Sequence, residues 1–244
     1  MSQPLGLSQD LSKRILFLLG ALIVFRLGTH ITIPFISSAA LASLVQDQQG
    51  TILDMFNMFS GGALERLSIF TLGIMPYISA SIIVTLMTSV IPKLEQLKKE
   101  GETGKRKITQ YTRLGTVVLA VFQSYGISIA LQSQSAGGVA LVTQGGFTFS
   151  MVTVVTLTTG TLFLMWLGEQ ITEKGIGNGI SMIIFAGIVS GLPSAFGSTL
   201  SLVSTGELTV ILVVILLAMT LLVTAFVVFM ERGQRRQIGR ASCR

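Results

Sequence analysis

The chain is poor in the residues that build most enzyme sites. Its 244 residues include one cysteine and one histidine. Cys243 alone excludes an internal disulfide framework and a cysteine zinc site. His30 alone excludes an HExxH pair and any multi-histidine metal centre. There is no GxSxG elbow. Charge is scarce too. Only 11% of residues are Asp, Glu, Lys or Arg, against about one quarter in soluble domains. The net charge of +6 raises a nucleic-acid reading, but the basic residues cluster between apolar runs instead of along one face.

What is abundant is apolar sequence, at 50% of residues. A bilayer solvates such runs, and about 20 residues span its hydrocarbon. Six segments are predicted to cross: Ile15–Ile33, Ile69–Ile91, Leu114–Leu131, Phe147–Leu167, Ile176–Leu192 and Leu208–Met230. The fifth is short and glycine-rich. The first has no small-residue cleavage site and runs past Arg26, unlike a signal peptide. Lys and Arg fall in alternate connections. Lys13 and Arg14 precede the first span, seven basic residues from Lys93 to Arg113 separate the second and third, Lys174 follows the fourth, and Arg232, Arg235 and Arg236 follow the sixth. Gln132–Gly146 and Pro193–Glu207 carry none, and the first outer loop has only Arg66. The positive-inside rule then puts residues 1–14 and 231–236 in the cytoplasm and 193–207 outside. Ile238–Arg244 lacks a hydrophobic period and matches a common sequencing adapter translated in one frame, with Gln237 fitting the preceding codon. Residues 237–244 are expected to be a non-native tail.

Several stretches are candidates for function. Asp54-Met-Phe-Asn-Met-Phe-Ser-Gly-Gly-Ala-Leu64 is apolar but too short to cross. It is either a re-entrant half-helix covered by protein or an interfacial helix. The second span holds Gly73, Pro76 and several hydroxyls, and Ile74 and Ile78 share a face. Helix packing explains this, as does a hydrophobic constriction lining a pore. Proline there permits a kink. Arg26 would be costly at mid-bilayer, so it either snorkels or joins an ion pair. His30 reads as interfacial. The loop Lys98–Ile108 is basic and glycine-containing, suited to anionic lipid, RNA or a protein partner, or to fixing topology alone. The loop Gly168–Gly179 has turn glycines but no Walker lysine-serine pair, which makes a nucleotide site a poor reading.

Two long motifs carry a family resemblance. One is Ser68-Ile-Phe-Thr-Leu-Gly-Ile-Met-Pro-Tyr-Ile-Ser-Ala-Ser-Ile-Ile-Val-Thr85, the other Trp166-Leu-Gly-Glu-Gln-Ile-Thr-Glu-Lys-Gly-Ile-Gly-Asn-Gly-Ile-Ser-Met-Ile-Ile184. With the order of elements between them, they resemble the SecY family, the central subunit of the protein-conducting translocon, in its gamma-proteobacterial form. The resemblance covers residues 5–236 and departs at Thr85, where the family commonly has glutamine.

The resemblance implies an all-α polytopic membrane protein with the SecY-type channel fold. The chain would be its N-terminal half, residues 15–192, plus a sixth transmembrane helix at 208–230. It implies that Ile74, Ile78 and Ile184 belong to an aliphatic pore ring. It implies a plug at about 54–66, with Asn57, Met58, Phe59, Ser60, Gly61 and Gly62 in it and Phe56 beside it. Lys98, Lys99, Lys105, Arg106 and Lys107 would face cytoplasmic partners, SecA or the ribosome. SecE and SecG would complete a heterotrimer in the bacterial inner membrane. Preproteins and signal peptides would be substrates, anionic lipids would surround it, and no cofactor or catalytic residue is implied. A half of a secondary transporter is the alternative, but it calls for a polar midplane site. An intramembrane enzyme would need a nucleophile–base or metal set that this sequence does not offer. The third rival is a non-conducting scaffold.

Overall fold

A computed structural model describes residues 5–37, 41, 61–136, 139–143, 145–206 and 208–232. The chain divides into two compact units, residues 1–191 and 192–244. Among the described residues its helices are α1 (Leu5–Gly28), α2 (Met75–Val90), α3 (Pro92–Lys99), α4 (Glu102–Ser133), α5 (Phe147–Lys174), α6 (Gly179–Ser204) and α7 (Val210–Arg232). Two-residue strands β1 (Ser135–Ala136) and β2 (Val139–Ala140) form an antiparallel hairpin between α4 and α5.

Among the described residues four helices, α4 to α7, are long and apolar enough to cross a membrane, and α2 with α3 makes a fifth only if that bent pair is one span. The sequence predicts six spans. Helix α1 is not among them: it carries Lys13 and Arg14 and ends at Gly28, before the predicted Ile33.

Several boundaries differ from the sequence reading. The second span is helical only from Met75, and residues 69–74 form turns. Gly73 takes φ +55° there, outside the helical region. Pro76 therefore sits in the first turn of α2 instead of kinking it, where its missing N–H costs no helical bond. Pro92 also excludes Ile91 from the helical region, and Ile91 is extended at φ −96°, ψ 114°. The chain bends there by 100°.

The basic connection after the second span is mostly helix, not loop. Helix α3 ends near Glu100, Gly101 reverses the chain at φ 72°, and α4 starts at Glu102. At 32 residues α4 is about 48 Å long, well beyond a hydrocarbon core of about 30 Å. Residues 193–204 of the expected outer loop are helical, since α6 continues through Pro193 to Ser204. Its last turns carry hydroxyls that donate to carbonyls one turn back, as Thr199 does to Ala195 and Ser204 to Ser201.

Packing in the first unit depends on small residues. Thr112, Thr116, Ala120, Ser124 and Ser128 recur every four positions on one buried face of α4. Thr112, Thr116 and Ser124 donate to their own helix carbonyls four residues back, which satisfies the hydroxyls without a partner helix. Small side chains let helix backbones approach closely where lipid gives no hydrophobic drive. Ser124 Oγ lies 3.4 Å from Thr158 Oγ1 of α5.

Candidate channel-lining site

Between α1 and α2 the chain runs as irregular backbone from Gly61 to Ile74. Such backbone survives at membrane depth only if its polar groups are satisfied and protein covers it. Over most of the segment both conditions hold, with Glu65 and Arg66 left exposed. The Ser68 N–H donates to the Ala63 carbonyl at 2.9 Å, Ile69 N–H to Ile31 at 2.9 Å, Thr71 N–H to Ser68 at 3.0 Å and Gly73 N–H to Phe70 at 2.8 Å. Phe70 N–H donates to Ser68 Oγ at 3.2 Å. The segment lies between two apolar clusters. Phe70 and Ile74 enter one with Phe25, Leu164, Leu167 and Ile183, while Leu67 and Leu72 enter the other with Ile33, Phe149 and Leu157.

Phe70 is the wedge that fixes this segment. Its ring stacks between Phe25, at 6.1 Å, and Phe163, at 5.9 Å. A Cβ on Gly28 would collide with that ring, and one on Gly160 would collide with the Ile69 carbonyl. Glycine at both places is what lets α1 and α5 close on the segment.

The second motif builds the α5–α6 turn. Thr172 Oγ1 donates to the Gly168 carbonyl and accepts from Gly179 N–H, each at 2.8 Å. Asn178 Oδ1 accepts from Ile180 N–H at 3.0 Å, an N-cap on α6. A Cβ on Gly179 would collide with the Gly168 carbonyl. The glycines sit where α6 crosses the end of α5 in direct backbone contact.

Ile74 is buried in the first cluster, and Ile78, half-buried one turn on, packs against it. Ile180, Met182, Ile183 and Ala186 of α6 join the same cluster. Ile184 is half-buried and is not among the described residues of that cluster. Of the expected plug, Phe56, Asn57, Met58, Phe59 and Ser60 lie outside the described residues, and Gly61 and Gly62 lie in a turn. Arg26 does not snorkel. Its guanidinium Nη1 donates to the Gly61 carbonyl at 2.7 Å and to Ser190 Oγ at 3.1 Å. The sequence marked Arg26 as unusual but held no sign of these partners.

Lys98, Lys99, Lys105, Arg106 and Lys107 are all exposed on α3 and the start of α4. Glu95 pairs with Lys99 at 2.7 Å, and Glu102 with Lys105 at 3.5 Å. Lys98, Arg106 and Lys107 make no ion pair among the described residues.

A covered irregular segment leading through Ile74 into a helix with Ile78 in its first turn, and a glycine-tight turn into α6, are the two motifs in three dimensions. The SecY family model matches residues 68–238, which includes both. The chain belongs to the SecY family. It is 60% identical to the protein translocase subunit SecY of Escherichia coli strain K12 over 227 residues, 93% of this chain and 51% of that relative. The SecY of Buchnera aphidicola subsp. Acyrthosiphon kondoi is also 60% identical, over 93% of this chain and 64% of its own length. That of Vibrio cholerae is 58% identical over 95% of this chain and 51% of its own. This SecY chain thus spans about half the length of most of the curated relatives it matches. It is an integral membrane protein of all-α architecture, as its apolar helices and its family agree.

Proposed function

We propose that this chain forms part of a channel that moves unfolded preproteins across a bacterial inner membrane and releases transmembrane segments sideways into the lipid. The observation that carries this is its identity to translocase subunits named SecY over nearly its whole length. The same name leaves the transporter-half reading without support. The alternation of basic and uncharged connections supports a cytoplasmic N-terminus.

Ile74, Ile78 and Ile184 are proposed as part of the pore ring. A neck that must pass any unfolded sequence cannot rely on specific hydrogen bonds. Flexible aliphatic side chains form a gasket around varied cargo, and a dewetted constriction resists ions. Phe56–Gly62 is proposed as the plug, since Phe, Met and Gly suit a seal that must leave and return. SecE and SecG are proposed as companions in a heterotrimer. SecA and the ribosome are proposed to dock on the face that bears Lys98, Arg106 and Lys107, and anionic lipid is proposed to surround the basic ends. No catalytic residue is proposed.

The test is a full-length SecY in which residues 5–236 carry this sequence, reconstituted in vesicles. Preprotein translocation driven by SecA is the expected result. A stably inserted protein that fails to translocate would overturn the proposal. In the same protein, deleting Asn57–Gly62 should raise resting ion leak or relax signal selectivity, and unchanged leak and selectivity would remove the plug assignment.

A further inference from the structure

We infer that Arg26 is a latch that holds the Gly61 end of the plug segment against α6, with Gly62 as the pivot beside it. The inference rests on the plug reading above and adds the residue that would set its closed position.

Three successive residues are held in three different ways. Gly61 is gripped from outside. Arg26, half-buried in the last turn of α1, donates to its carbonyl at 2.7 Å. The same nitrogen donates to Ser190 Oγ at 3.1 Å, and Ser190 Oγ donates onward to the Gly187 carbonyl of α6 at 2.7 Å. A serine hydroxyl has one proton to give and lone pairs to receive, so the relay from Arg26 through Ser190 to Gly187 is consistent. The Gly61 backbone itself lies on α6: a Cβ there would be 3.1 Å from Gly187 Cα and 3.4 Å from Ser190 Oγ.

Gly62 is in open space, with φ +80° and nothing within 4 Å of a Cβ position. Ala63, in contrast, is fully buried, and its carbonyl accepts from Ser68 N–H at 2.9 Å and from Thr71 Oγ1 at 3.2 Å. A chain that leaves α6 while Ala63 stays in place must break the Arg26 bond and turn at Gly62. Two glycines offer no side chain to bury, so polar contact from Arg26 supplies the grip. One guanidinium nitrogen reaches a carbonyl and a hydroxyl at once and so ties Gly61 and α6 to the same charged group.

The test uses full-length SecY carrying this sequence, purified with its partner subunits and reconstituted in planar bilayers. Arg26→Gln and Ser190→Ala are each made in the intact protein and in one lacking Asn57–Gly62. Resting conductance is measured without substrate. Arg26→Gln should raise resting leak about ten- to hundredfold, the range that follows from losing one hydrogen bond to a charged group. Ser190→Ala should raise it less and serves where Arg26→Gln lowers the amount of inserted protein. Both effects should vanish in the deleted background. An Arg26→Gln effect of equal size with and without Asn57–Gly62 would show that Arg26 acts on the helices and not on the plug, and would overturn the latch. No effect of either variant in the intact protein would overturn it as well. If the deletion alone leaves leak unchanged, the plug reading itself fails, and the latch fails with it.

Discussion

Arg113 and Glu169 meet through two parallel hydrogen bonds, Nε to Oε1 at 2.9 Å and Nη2 to Oε2 at 2.8 Å, although they stand 56 positions apart. The fork ties α4 to α5 where both helices carry the first charged residues next to their apolar runs. Most exposed ion pairs contribute little, but this one is bidentate, and the Glu169 side chain is only 23% exposed. Arg113→Lys keeps the charge and loses the fork. It should cost about 1 kcal/mol, seen as a lower apparent unfolding temperature of full-length protein in detergent. Exchanging the two residues should recover part of the loss. An unchanged unfolding temperature for Arg113→Lys would show that water screens the pair.

The glycines beside Phe70 separate tolerated from untolerated positions. Gly160→Ala drives a methyl into the Ile69 carbonyl, so backbone must shift. The cost should reach or exceed about 1–3 kcal/mol, the range for overpacked sites. Gly20→Ala meets nothing within 4 Å and lies within α1, where alanine is the better helix former. Protease resistance of inserted protein should fall for Gly160→Ala and hold for Gly20→Ala. Equal resistance would show that α5 can move away from the segment.

Polar replacement in the proposed pore ring should loosen its seal. Ile78 is half-buried at the edge of the cluster that buries Ile74. Ile78→Asn therefore places an amide where it can hold water, with less damage to packing than at Ile74. Single-channel recording should find a higher resting conductance for Ile78→Asn than for Ile78→Leu. The same conductance for both would argue that Ile78 does not line the neck.

The basic hairpin of α3 and α4 should divide its work unevenly. Glu95 and Glu102 already occupy Lys99 and Lys105. Neutralising Lys98, Arg106 and Lys107 to glutamine should slow association with SecA and flatten its salt dependence, as loss of rim charge does. Changing Lys99 and Lys105 together should do less. Association rates measured across a salt series decide this, and equal losses from both sets would show that the carboxylates do not offset the paired lysines.

The bilayer is a solvent condition that each apolar run meets on its own, which is why those runs were legible in the sequence. Helix α7 was predicted at Leu208–Met230 and runs Val210–Arg232, and α5 begins at the predicted Phe147. An uncharged run in lipid must close its own hydrogen bonds, and the helix does so without help from the rest of the chain. The same hydropathy misplaced other ends because it reports the membrane, not the helix. Residues of α4 before Leu114 are polar yet helical, since lysine and arginine are good helix formers once Gly101 has turned the chain. Residues 69–74 are apolar yet not helical, since Phe70 is seated between Gly28 and Gly160, and tertiary contacts overrule local preference.

Sequence by itself determined that the chain lives in a membrane, which family it resembles, and where most of its long apolar helices lie. The tertiary structure decided what Arg26 does. Its partners Gly61 and Ser190 stand 35 and 164 positions away, and no periodicity links them. They meet in a packed arrangement in which Gly28 admits the Phe70 ring and glycines at 160 and 179 let backbones touch. That closeness belongs to the packed arrangement and not to any single run of residues.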